Sequence, residues 1–318
     1  MKHPEIVVLF SSYRCNSRCV MCSAWIKQGS APELSLKQIE KVFSDTLFGK
    51  NIKIINLTGG EPTLREDMVD VVRVLAAQCP NLRRIDIPTN GINTQQVLDK
   101  IERTLAVLLP TPVKLSVTVS VDGVGDVHER IRGVKDIFPG IRKTIEGLKE
   151  LSCIYPFLSV SLNTTITKFN VQDLENLRAF SRTAGVGINF TLAALSEIGV
   201  ESIAKQGSFE IEVESGRLIT TFIQEITEQK EMEKSYGEFI LHWLKTGERA
   251  APCNFRKGRV ILMEPDGNVY ACGNFKEFLV GNVLKETFGV MWKRRRSVPG
   301  NAGDKCRTCN SNCYMGEI

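Results

Sequence analysis

The chain has 318 residues, 42% of them hydrophobic and 24% charged, with a net charge of +5. That is enough material for one large domain, or one large domain and one small one. The mild positive charge does not call for nucleic acid, and no apolar run is long enough to span a membrane. The apolar start "IVVLF" lacks the cleavage site of a signal peptide, so a cytoplasmic protein is expected.

Short β-branched runs alternate with amphipathic stretches up to Ala194. "EIVVLF" predicts a first strand, which leads at once into a cysteine-rich loop. "LSLKQIEKVFSDTLF" predicts a helix with Ser35 as its N-cap. Further strands are expected at "IKIINLTGG", "RRIDIPTNG", "KLSVTVSVDG", "LSVSLNTTIT" and "VGINFTLAA". Helices are expected at "REDMVDVVRVLAAQ", "NTQQVLDKIERTLAVLL", "IFPGIRKTIEGLKEL" and "VQDLENLRAFSRTAG", the last closing on Gly185. Strands that alternate with helices imply parallel pairing through right-handed crossovers. The fold class expected is α/β, as a partial barrel of six βα units or a doubly wound sheet, with the site built by loops at the strands' C-terminal ends.

Beyond Ala194 the pattern changes. A mixed polar stretch precedes "RLITTFIQEITEQKEMEKSYGEFILHWLKTGE", which reads as one long helix or two shorter ones. "RVILME" and "NVYACG" flank "PDG" and predict a hairpin. "GVMWKRRR" reads as a helix whose basic face is solvated. The expected division is a core over 1–195, a helical linker or lid over 196–250, and a small cysteine-rich unit over 251–318.

The chain has ten cysteines, and they cluster. Cys15, Cys19 and Cys22 follow the first strand. Cys253, Cys272, Cys306, Cys309 and Cys313 gather near the other end. Cys79 and Cys153 are isolated and read as small buried hydrophobes. In a reducing compartment such clusters point to metal chemistry rather than disulfides. Three thiolates on Cys-x3-Cys-x2-Cys suit three irons of a 4Fe–4S cluster, which usually takes four cysteines, and would leave one iron open to a ligand. A zinc site completed by a distant residue is the plainer alternative. The three histidines, His3, His128 and His242, do not adjoin the motif.

"CNSRCVMC" resembles the signature of the radical S-adenosylmethionine (radical SAM) superfamily. "LTGGEP", after the second strand, resembles its GGE motif. Met21 stands where the superfamily often has an aromatic residue. The resemblance implies that the open iron binds the methionine moiety of SAM. One electron would then split SAM, and the 5′-deoxyadenosyl radical would take a hydrogen atom from substrate. The carbonyls of Gly59 and Gly60, with Glu61, suit the SAM ammonium, the glycines letting backbone approach a ligand. Asn90 and Ser120 suit ribose or carboxylate oxygens. Arg130, Arg132 and Arg142 are candidates to hold the carboxylate, with surface ion pairing as the alternative for each. Asp122 reads as a turn residue.

The second cysteine set resembles the SPASM/twitch extension. This implies one auxiliary 4Fe–4S cluster held by Cys253, Cys272, Cys306 and either Cys309 or Cys313, with a zinc ribbon as the alternative. The cysteine left over is a candidate hydrogen-atom donor. An electron donor such as flavodoxin or ferredoxin is implied as partner. Because Cys15 follows the first strand directly, the expected substrate is small and polar: a sugar, aminocyclitol or natural-product intermediate, oxidised or epimerised. A peptide-modifying maturase is the alternative, and a non-catalytic metal-binding protein a second one.

Overall fold

The apolar runs form strands that share one sheet. The computed structural model describes residues 3–29, 32–194, 213–295 and 303–312. Strands β1 (Ile6–Ser12), β2 (Ile54–Gly59), β3 (Arg84–Thr89), β4 (Lys114–Ser120), β5 (Leu158–Ile166) and β6 (Gly187–Leu192) pair in chain order, all parallel. Helices α1 (Leu36–Phe43), α2 (Met68–Gln78), α3 (Thr94–Leu108), α4 (Asp126–Arg132), α5 (Phe138–Ile154) and α6 (Leu174–Ala184) connect them. Ser35 does cap α1: its Oγ accepts from Gln38 N–H, and Gln38 Oε1 accepts from Ser35 N–H at 2.8 Å. Gly185 ends α6 with φ +65°, as its position suggests. The short helix α4 has no counterpart in the sequence reading.

The strands are not buried evenly on both faces. In β3, Ile85, Ile87 and Thr89 are buried while Arg84, Asp86 and Pro88 are only partly so. One face packs under the helices in the main core, with Val7, Leu9, Ile55, Leu57, Ile85, Ile87, Leu115 and Val117. The other face carries Thr58, Pro88, Ser120 and Thr165 to the wall of a central cavity. A parallel sheet curved round an open interior needs this alternation.

The polar stretch after Ala194 gives way to two helices, α7 (Val213–Glu228) and α8 (Lys234–Thr246). The expected hairpin forms as β7 (Val260–Met263) and β8 (Asn268–Tyr270), with Gly267 at φ +85° in its turn. A further strand, β9 (Leu279–Asn282), lies outside the sequence reading. β7 pairs parallel with β1, Ile6 opposite Val260 and Leu9 opposite Met263. The result is one nine-stranded sheet in the order β6-β5-β4-β3-β2-β1-β7-β8-β9, open between its edges β6 and β9. Hydrogen bonding thus runs across residue 250. Ile6, Val8, Ile54, Phe255, Val260, Leu262 and Tyr270 form a second apolar cluster over that junction. Helix α9 (Phe288–Arg294) stacks Phe288 on Phe48, centroids 4.4 Å apart. Its basic end is not merely solvated: Arg294 pairs with Glu286, and Arg295 donates to the carbonyls of Phe255 and Arg256. A last helix, α10 (Asp304–Arg307), carries Cys306.

Candidate active site

β1 delivers the chain into the loop that holds Cys15, Cys19 and Cys22, and two neighbours fix that loop. On one side, Gly60 N–H donates to Ser12 O at 2.8 Å and Glu61 N–H to Arg14 O at 2.7 Å. Gly59 has φ +138°, and a Cβ there would stand 2.1 Å from Ser12 O; one on Gly60 would stand 2.2 Å from Arg14 O. The close backbone approach that these glycines permit is therefore to the cysteine loop itself. On the other side lies the end of α4. Arg18 N–H donates to Arg132 O at 2.8 Å, and Val20 N–H to Ile131 O at 2.9 Å.

Each thiol of the first set receives one N–H. Ser17 N–H points to Cys15 Sγ at 3.4 Å and Ala24 N–H to Cys22 Sγ at 3.5 Å. Cys19 Sγ, in a buried side chain, instead receives Arg132 Nη1 at 3.5 Å. Arg132 Nη2 stands 2.6 Å from Asp122 Oδ2, and Asp122 is fully buried. Asp122 is thus an internal counter-ion rather than a turn residue. Burial works against the charge of Arg132, but Asp122 and the cysteines hold its pKa above the ordinary value. Burial pushes the Cys15 thiol up to about 12 and the Cys22 thiol up to about 11. These groups become thiolates at neutral pH only if a cation shares the site with them.

The other sequence candidates separate clearly. Gly60, Glu61, Asn90, Ser120 and Arg132 line the same cavity as the three cysteines; its volume is about 910 Å³. Glu61 is buried, and both its oxygens are engaged. Oε1 accepts from Thr63 N–H, Thr63 Oγ1 and Thr89 Oγ1, and Oε2 accepts from Asn90 N–H at 2.6 Å. Burial raises its pKa, against those hydrogen bonds. Asn90 Nδ2 donates to Asn16 Oδ1 at 2.7 Å, tying the end of β3 to the cysteine loop. Arg142 lies exposed on α5 and Arg130 exposed on α4; neither lines the cavity, which leaves Arg132 of the three. Ser17 escaped the sequence reading. Its Oγ is buried in the cavity wall without a hydrogen-bond partner, and only its position inside the cysteine motif hinted at it.

The second cysteine set opens on the same cavity, through Cys253, Cys272, Cys306 and Cys309. The hairpin places Cys253 before β7 and Cys272 after β8. Burial pushes the Cys272 thiol up to about 12, and nearby Cys253 and Cys309 push the same way. Arg249 Nη1 approaches Cys309 Sγ at 3.9 Å and Asn274 Nδ2 approaches it at 3.6 Å. Arg249 and Asn274 are further site residues that the sequence did not flag. Cys313 lies outside the described residues. Cys79 is buried as expected, whereas Cys153 is exposed on α5.

Three thiols that line one cavity are a donor set that fits an iron–sulfur cluster, which takes one sulfur per iron. The three sulfurs of the first set share a cavity with a carboxylate, Glu61, whose oxygens already accept hydrogen bonds from the protein. That is a three-thiolate set with space beside it for a further ligand.

The chain is 26% identical to the mycofactocin maturase MftC of Mycobacterium ulcerans, over 94% of this chain and 78% of that protein. It is 31% identical to the Fe-coproporphyrin III synthase of Methanosarcina barkeri, over 53% of this chain and 39% of that protein. Its fold resembles that of native anSMEcpe with bound AdoMet and Cp18Cys peptide, with a TM-score of 0.63 at 17% identity, over 93% of this chain and 82% of that one. Native anSMEcpe with bound AdoMet alone gives a TM-score of 0.61 at 16% identity, over 92% and 82% of the two chains. The profile of the Radical SAM superfamily matches residues 9–181, more than half of the sequence and the whole span from the cysteine loop to α6. The chain therefore belongs to the radical SAM superfamily, with a 4Fe–4S cluster and SAM as its cofactors.

Proposed function

We propose that this protein is a peptide-modifying radical SAM maturase. The observation that carries this reading is the similarity to a maturase over 94% of the chain. A solved neighbour of the same fold holds a peptide beside AdoMet, which supports the same direction. The expectation of a sugar or aminocyclitol rested on how soon Cys15 follows β1, and these relatives favour the peptide alternative over it.

In this reading Cys15, Cys19 and Cys22 hold the SAM-binding cluster. Cys253, Cys272, Cys306 and Cys309 hold one auxiliary cluster. The placement of Cys309 beside Cys272, Arg249 and Asn274 favours a ligand's role for it over that of a hydrogen-atom donor. When bound, the cluster and SAM supply a 5′-deoxyadenosyl radical that takes a hydrogen atom from the peptide. The chain's own residues hold that chemistry in place. Gly60 and the end of α4 fix the loop, Asn90 and Ser120 offer polar groups to SAM, and the strand faces wall the radical off from water. Flavodoxin or ferredoxin would deliver the electron, in the cytoplasm. No helix among the described residues is long and apolar enough to cross a membrane.

The test is an anaerobic assay with reductant, SAM and short peptides encoded beside the gene, read by mass spectrometry. A mass change in one peptide, dependent on SAM and on Cys15, Cys19 and Cys22, is expected. Turnover of a sugar or aminocyclitol with every peptide unchanged would overturn the peptide reading and restore the small-substrate one.

A further inference from the structure

Of the three thiols in the first set, two receive their N–H from backbone and one from a charged side chain. Arg132 reaches Cys19 Sγ at 3.5 Å and is itself held by Asp122 at 2.6 Å. Both partners are buried, Arg132 at 9% exposure and Asp122 at 0%. A guanidinium kept out of water acts on a neighbouring charge with little screening. The potential of an iron–sulfur cluster depends on its net charge, its burial and the hydrogen bonds to its sulfurs. We propose that Arg132, gripped by Asp122, is a positioning residue that tunes the cluster through Cys19 and makes it easier to reduce. The proposal rests on the reading that Cys15, Cys19 and Cys22 hold the SAM-binding cluster.

The reasoning is electrostatic. Reduction adds one negative charge to the cluster and its thiolates. A fixed positive charge at Cys19 Sγ stabilises the reduced form more than the oxidised one. Asp122 opposes this in part, so the ion pair sets an intermediate value rather than the most positive one the site allows. The backbone of Arg132 has a separate task, since its carbonyl accepts from Arg18 N–H whatever side chain it carries.

Two substitutions move the potential in opposite directions. Asp122→Asn removes the opposing charge and leaves the guanidinium. Arg132→Gln with Asp122→Asn removes both charges together, so that no carboxylate is left buried without a partner. The measurement is an anaerobic redox titration of the whole reconstituted protein, followed by EPR. The cluster of interest is the one whose signal changes on adding SAM, since it alone has an open iron. At a fixed potential, the double variant is expected to show about a tenfold lower ratio of reduced to oxidised cluster, about 59 mV for a one-electron couple. Asp122→Asn is expected to shift the ratio upward, and Arg132→Lys to stay between wild type and the double variant. Loss of packing alone would not move the two variants in opposite directions. Equal ratios in wild type and double variant would overturn the proposal. If the double variant does not fold, an Asp122→Asn ratio at or below wild type overturns it alone. Wild type that assembles no SAM-responsive cluster would instead remove the reading on which the proposal stands.

Discussion

Both carboxylate oxygens of Glu61 accept hydrogen bonds from the protein, and this changes what the motif residue is for. It ties the end of β2 to the end of β3 through Thr89 and Asn90, and so sets the rim beside the cysteine loop. Glu61→Gln keeps the size but turns one acceptor oxygen into a donor. Either Asn90 N–H or the Thr63 and Thr89 donors would then face an NH2 group. The expected cost is about 1–3 kcal/mol, the penalty for a buried polar group left unmatched. It would appear as a lower urea midpoint at unchanged m-value, with weaker SAM binding. A midpoint equal to wild type would mean that Glu61 is free to turn to the cofactor instead. The identity of this residue was legible in "GGEP", but its partners were not. Thr89 lies 28 positions away, and only the sheet register brings it alongside. Arg132 shows the same limit. Arg130, Arg132 and Arg142 all follow "SVDG", and only the ending of α4 against the loop tells them apart.

At the scale of elements, α6 is joined to the α7–α8 pair by one buried guanidinium. Arg178 donates to Glu231 at 2.8 and 2.9 Å, to Glu225 at 2.7 Å and to Gln229 at 2.6 Å. Its hydrogen bonds hold the Glu231 carboxyl down to about 2, from an ordinary value of 4.5. A depressed carboxylate stabilises the fold above its unfolded pKa, and that contribution fades as pH falls through the folded one. The clasp is therefore expected to be complete above about pH 4.5 and to weaken between there and about pH 2. Thermal unfolding of wild type and Arg178→Ala across that window checks this. The gap in Tm should be widest above pH 4.5 and should close toward pH 2. A gap that does not depend on pH would assign Arg178 a packing role alone. The two helices were visible in their periodicity. The clasp was not, because its carboxylates lie 47 and 53 positions from Arg178.

Across the whole molecule, the six parallel strands could be read because each is a short apolar run between turn residues, and the longer helices between them because each has a 3.6-residue period. The pairing of β7 with β1 could not. "RVILM" reads as half of a hairpin, and nothing local says that its free edge meets the first strand of the chain. That pairing decides the shape of the site. It extends the partial barrel by three strands and turns the second cysteine set toward the cavity that holds the first. A buried carboxylate reinforces the junction. Glu264 Oε1 accepts from Tyr13 and Oε2 from Tyr270, residues just before Cys15 and Cys272. The two cysteine loops are thus fixed relative to each other by the sheet and by this shared acceptor.

The central claim is that three thiols at the end of β1 hold a cluster able to cleave SAM. It is tested most directly by quantifying 5′-deoxyadenosine from anaerobically reconstituted protein with reductant and SAM. A variant with Cys15, Cys19 and Cys22 all changed to Ala runs beside it. The wild type is expected to bind iron and sulfide at both cysteine sets and to release 5′-deoxyadenosine, while the variant keeps its auxiliary iron and releases none. Equal release from both proteins, or a wild type that retains zinc in place of iron and releases none, would contradict the account.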